Sequence, residues 1–144
     1  MKMKTILQLL LICISISASA QTKLFINEFH YDNADADANE FVELAGPANT
    51  DLDAAVYQLE FYSVTNRYKT ELLSGKLSDN GCGYGFYSIN ISGIQNGPND
   101  AIALVKDGVV IQFISYEGTV TAADGSAIGL TSTDIGVSED GTSG

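Results

Sequence analysis

Between His30 and Phe41 the chain crowds six oxygen-bearing side chains into nine residues: Asp32, Asn33, Asp35, Asp37, Asn39 and Glu40. Alternating carboxylates and amides are the ligands of a hard cation, and calcium, with its flexible oxygen coordination, suits them best. The run Asp35-x-Asp37-x-Asn39 begins like an EF-hand loop. Its sixth position is Glu40 instead of Gly and its twelfth is Gly46 instead of Glu, which excludes that motif. Two readings remain open. One is a calcium site between loops, with Asp32, Asp35, Asp37 and Glu40 as ligands. The other is a solvated turn whose Asp and Asn side chains bond to their own backbone.

Other chemistries fail on composition. His30 is the single histidine, and no Gly-x-Ser-x-Gly elbow is present, so a serine triad has no parts. One His and, beyond residue 20, one Cys (Cys82) cannot build a zinc site of the usual kind. The carboxylates Glu28, Glu40, Glu43, Glu60 and Glu117 fall in or beside strand-like segments. Glycoside hydrolysis needs two of them across a cleft, about 5–9 Å apart, and a small sandwich offers no such cleft. They are read as solvated, and no catalytic residue is assigned. Cys82, in Asn80-Gly81-Cys82-Gly83, is expected to tuck against the fold. Tyr31, Tyr62, Tyr68 and Tyr84 are candidates for exposure, with two readings open: an aromatic face for carbohydrate or protein, or structural strand tyrosines.

Strands must position these groups. Segments 24–30, 40–45, 57–63, 67–73, 84–91, 101–106 and 109–116 carry aromatic and branched residues at alternate positions, with Gly, Asn, Asp and Ser between them. No segment sustains helical spacing. The expected fold is an all-β sandwich of about seven short strands. Alternation puts Tyr57, Leu59 and Phe61 inward, with Gln58, Glu60 and Tyr62 outward; Val42 and Leu44 share a face, as do Tyr87, Ile89 and Ile91. Asp107-Gly108 predicts a two-residue type I′ hairpin. Its register pairs Lys106 with Val109, Val105 with Val110, Leu104 with Ile111 and Ile102 with Phe113. Ile102, Leu104, Ile111 and Phe113 then form one core face. Ala101, Ala103, Val105, Val110 and Ile114 make the other face apolar too, so this pair should lie inside its sheet, partly covered on both sides.

The pieces INEF, EFVELAGP, DLDAAVYQLEFY, QNGPNDAIALV and STDIGVSE, in this order, resemble a lamin-tail-type domain. That resemblance implies an immunoglobulin-like β-sandwich over residues 21–139, of a kind that often accompanies nucleases and other hydrolases in secreted bacterial proteins. The chain departs from the pattern at DLDAAVY, where such modules commonly place a Gly-containing turn. It departs again after STDIGVSE, where they add one more short strand. Here residues 140–144 are a Gly/Ser/Thr run, read as a flexible or truncated tail. A missing closing strand would leave an unpaired sheet edge.

Residues 1–20 read as a secretory signal peptide: Lys2 and Lys4, an apolar run from Ile6 to Ile16, then Ala18-Ser19-Ala20. Ile12 is too large for a lipid-anchor signal at Cys13, and no stretch is apolar for long enough to span a membrane. The chain is read as secreted, or held in the periplasm or at the cell surface, after cleavage. All 18 acidic residues lie beyond residue 20 with only Lys23, Arg67, Lys69, Lys76 and Lys106 against them, and the whole chain carries −11. Such a charge repels a phosphate backbone, which argues against direct nucleic-acid binding. The reading is therefore a non-catalytic binding or accessory module whose partner is a protein or a cell-surface ligand. Its rivals are the N-terminal piece of a secreted endonuclease or other metal-dependent hydrolase, and a calcium-stabilised adhesion protein. Mass analysis of exported material should find an N-terminus at Gln21; retention of Met1, or lipid on Cys13, would overturn the signal-peptide reading.

Overall fold

A computed structural model describes residues 23–33 and 38–138. Residues 1–20, Asp35, Asp37 and the 140–144 tail lie outside the described residues. Within them, apolar alternation and the intervening turn residues produce β1 (Phe25–His30), β2 (Phe41–Pro47), β3 (Tyr57–Ser63), β4 (Asn66–Leu72), β5 (Tyr84–Asn90), β6 (Asp100–Lys106), β7 (Val109–Tyr116) and β8 (Thr133–Asp134). They form two sheets, of order β1-β2-β5 and β4-β3-β6-β7-β8. Every pairing is antiparallel except the parallel β7–β8 contact. The fold is all-β, as expected. Seven strands fall within two residues of their sequence-based positions, and β8 is an addition inside the STDIGVSE segment.

The sheets pack face to face. Ile26, Val42 and Leu44 of the smaller sheet meet Leu59, Phe61, Ile102, Leu104 and Ile114 of the larger one. Tyr57, Leu59 and Phe61 face this core, as alternation required, and Tyr87 and Ile89 pack against it. Full burial of each large side chain is worth about 1.5–3 kcal/mol in transfer terms.

The far side of β3 and β6 is not solvated. Residues 119–132 fold back over it, and Val120, Ala122 and Ala127 close a second apolar cluster with Tyr62, Ala101, Ala103, Val105 and Phe113. Small alanines on both surfaces allow the close approach. Ala123 N–H donates to Thr65 O (2.8 Å) and ties the segment to the β3–β4 turn, while Ser132 N–H donates to Val120 O (2.8 Å) and closes the segment on itself. One expectation changes as a result. Glu60 and Tyr62, expected outward, are fully buried. Separately, Tyr31, a candidate for exposure, is buried in the inter-sheet core against Tyr116, with ring centroids 4.2 Å apart. Tyr68 and Tyr84 are half-buried. Cys82, expected to be tucked in, is exposed on the turn before β5, at φ 55°.

The β6–β7 hairpin begins as predicted and then departs. Asp107 and Gly108 both have positive φ (50° and 77°), as a type I′ turn requires. Lys106 faces Val109 and Val105 faces Val110. A bulge then inserts Ile111, so Leu104 faces Gln112 and Ile102 faces Ile114. Ile111 turns to solvent at 39% exposure, Phe113 joins the second cluster, and Ile114 takes the place in the inter-sheet core. The shift places Gln112 so that its Oε1 accepts the Ile26 N–H at 2.7 Å, a bond from one sheet to the other. β1 is itself bulged beside Ile26, with Asn27 left out of register.

This register predicts unequal costs. Leu104→Ala should destabilise by about 2–5 kcal/mol, the usual cost of truncating a buried Leu. Ile111→Ala should cost under about 1 kcal/mol. Equal shifts in denaturant midpoint would restore the unbulged pairing.

Candidate functional site

The two described members of the acidic cluster are tied to one neighbour, the loop between β5 and β6. Glu40 is buried, and its oxygens accept the Gly93 N–H (2.6 Å) and the Ile94 N–H (2.7 Å). Asp32 Oδ1 accepts from Asn96 Nδ2 at 3.0 Å. Each carboxylate therefore anchors one side of the acidic loop. Asp35 and Asp37 lie outside the described residues, and among those described no three His, Cys, Asp or Glu side chains converge as a metal group would. The His30 ring lies near Phe41, with centroids 6.3 Å apart.

Tyrosines complete this end of the sandwich. Tyr116 donates its hydroxyl proton to Gln95 O (2.7 Å), while the Tyr68 hydroxyl accepts the Gln95 N–H (2.9 Å). Tyr31 donates to Glu117 Oε1 at 3.1 Å. Burial raises the pKa of Tyr116 and pushes that of Tyr68 up to about 12, so both hydroxyls stay protonated. Asp100 is buried nearby, and its Oδ1 has no protein partner. Desolvation lifts its carboxyl above the ordinary range and the Glu117 charge adds to this, against a hydrogen bond from Ser63.

Glu60 is the most heavily bonded carboxylate described. Its Oε1 accepts from Gln58 Nε2 (2.7 Å), Arg67 Nη1 (2.8 Å) and Ser126 Oγ (2.8 Å). Its Oε2 accepts from Tyr62 Oη (2.5 Å) and Ser126 N–H (2.8 Å). Three parts of the chain meet there: β3, β4 and the covering segment. Gly125 has φ 68°, and a Cβ at that position would strike Tyr62 Oη and Glu60 Oε2, so the turn requires glycine. Desolvation pushes the Glu60 pKa up, but the bonds from Tyr62, Ser126 and Arg67 outweigh it and leave it lowered. Burial and the bond to Glu60 raise the Tyr62 pKa.

At the opposite end lies a groove of about 410 Å³, where the start of β1 meets the β6–β7 hairpin. Lys23, Leu24, Tyr57, Lys106, Val110 and Ile111 line it together with Pro47 and Thr50. The Lys106 ammonium sits 5.2 Å from the centre of the Tyr57 ring. β7 runs beside this groove, and β8 covers only its Ile114 and Ser115. Val109 is 65% exposed next to it. Sequence reasoning counted both lysines but did not single them out. Their signal was scarcity, as two of only five cations beyond residue 20 in a strongly acidic chain.

In comparisons with family models, curated proteins and solved structures, nothing matches this chain. The fold and its open groove therefore carry the functional argument.

Two buried carboxylates predict opposite pH effects. Glu60, lowered in the folded state, contributes stability present above its unfolded pKa of about 4.3 and lost as pH falls through the folded value. Asp100, raised, favours the folded state most at low pH and costs stability as pH rises through its folded value. At neutral pH, Glu60→Gln should therefore cost about 3 kcal/mol, a deficit that shrinks on acidification. Asp100→Asn should be neutral or stabilising at neutral pH and lose that advantage in acid. Urea titrations across this range check both signs.

Proposed function

We propose that the chain is a secreted, non-catalytic β-sandwich module of the lamin-tail, immunoglobulin-like type, serving to bind a protein or cell-surface ligand. The order of motifs from INEF to STDIGVSE supports the family. Two packed sheets, with the chain crossing between them after β2, β4 and β5, support the immunoglobulin-like architecture. The observation that carries the binding role is the groove between β1 and the β6–β7 hairpin. A strand edge, exposed apolar side chains and two lysines coincide there on an otherwise acidic molecule.

A photo-crosslinking residue placed at Ile111, in the cells that make the protein, tests this. Leu72 is the control, an apolar side chain 66% exposed on β4, at the other edge of the same sheet. A discrete adduct from position 111 and none from position 72 is expected. Equal labelling at both, or none at either, would remove the groove as a binding surface.

A further inference from the structure

We propose that the groove is a docking edge for an extended, acidic peptide segment of another protein, which adds as a strand beside β7 from Val109 to Phe113 and sets its carboxylates on Lys23 and Lys106. This inference rests on the binding-module reading and names the chemistry of the partner.

The backbone comes first. β7 pairs with β6 on one side, and β8 reaches only Ile114 and Ser115 on the other. Among the described residues no strand lies on the outer side of residues 109–113, so the outward backbone groups of Val110 and Phe113, one on each side of the Ile111 bulge, are open to an added strand. Ser115 O already accepts the Ile135 N–H at 2.9 Å on that side, so the edge bonds an arriving chain where one reaches it. The side chains agree with the backbone. The bulge rotates Ile111 outward, and Val109 is exposed beside it, so an incoming strand would cover apolar surface as well as pair.

Charge selects the occupant. Arg67 is engaged by Glu60, Lys76 by Asp51 at 3.3 Å, and Lys69 donates to Ser92 O at 2.7 Å. Lys23 and Lys106 make no ion pair with a carboxylate among the described residues, and both line the groove. Asp107 is close by, but its Oδ1 is committed to the Val56 N–H at 3.0 Å. A nucleic acid has no peptide groups to pair with the edge of β7, and its dense phosphate charge would meet a chain of net charge −11. A second copy paired through β7 brings the sequence VVIQFISY, which has no carboxylate to offer the lysines. An acidic strand supplies both the backbone and the counter-charge.

The test uses the purified exported protein and a fluorescent peptide of about eight residues, a common strand length, alternating valine with glutamate. A second peptide carries lysine for glutamate. At low salt the acidic peptide should bind and the basic one should not. Lys23→Glu/Lys106→Glu should weaken binding roughly tenfold or more, and added salt should act in the same direction. Amide shift changes should centre on residues 109–113. Equal binding of both peptides, an unaffected double variant, or shift changes elsewhere would overturn the inference. Concentration-dependent dimers lost in an edge variant would assign the edge to a second copy instead. A wild type that binds no peptide, with lysine variants that self-associate, would make the lysines guards against pairing and also overturn it. If position 111 still crosslinks a partner while the acidic peptide fails, the partner's chemistry is wrong and the binding-module reading stands.

Discussion

The Glu60 carboxylate, taken out of water and given five hydrogen bonds, is the constraint on which the larger sheet depends. An ionised side chain at zero exposure is tolerable only when donors replace its hydration. Here they come from its own strand, from β4 through Arg67, and from Ser126 in the covering segment. The Ser126 bonds link residues 66 positions apart in sequence. Arg67 keeps 37% of its side chain in water, so one partner of the ion pair retains part of its solvation. The arrangement specifies position as well as stability, because the donors converge only when the 124–126 turn sits over Tyr62.

That node determines what is left open. With residues 119–132 drawn across the outer face of β3 and β6, the chain re-enters the sheet for only two residues, at β8. β8 meets β7 near its C-terminal end, beside Tyr116 and Glu117. The other half of β7 stays at the edge, facing β1, where Gln112 bridges the two sheets through the Ile26 N–H. The closed end is fixed by tyrosines and carboxylates bonded to the β5–β6 loop; the opposite end carries the groove and its lysines. This division of roles follows from where the covering segment goes.

The strands were legible because apolar alternation and turn chemistry are local, and the Asp107-Gly108 turn fixed its first two pairs. It could not reveal the bulge at Ile111, whose reason lies across the core at Ile26. Glu60 read as outward because a carboxylate in an alternating strand usually is; its donors at Arg67 and Ser126 become visible only in three dimensions. One sequence cue did point to the covering layer, the apolar second face of Ala101, Ala103 and Val105. β8 was hidden for another reason: two residues in parallel pairing leave almost no pattern. Glu40 was legible as an oxygen donor in an acidic loop but not as the acceptor for amides more than fifty residues away. The groove was the least legible part, since Lys23 and Lys106 meet only through the fold.

Amide hydrogen exchange followed residue by residue tests the central claim, a covered outer face beside an open edge. The account predicts that Ala122, Ala123 and Ser132, whose N–H groups are bonded within the covering layer or from it to Thr65, exchange nearly as slowly as the β6 amides. Val110 and Phe113, whose N–H groups alternation directs to the open side of β7, should exchange far faster. Rapid exchange across residues 120–132, or protection of Val110 and Phe113 equal to that of Leu104, would contradict it.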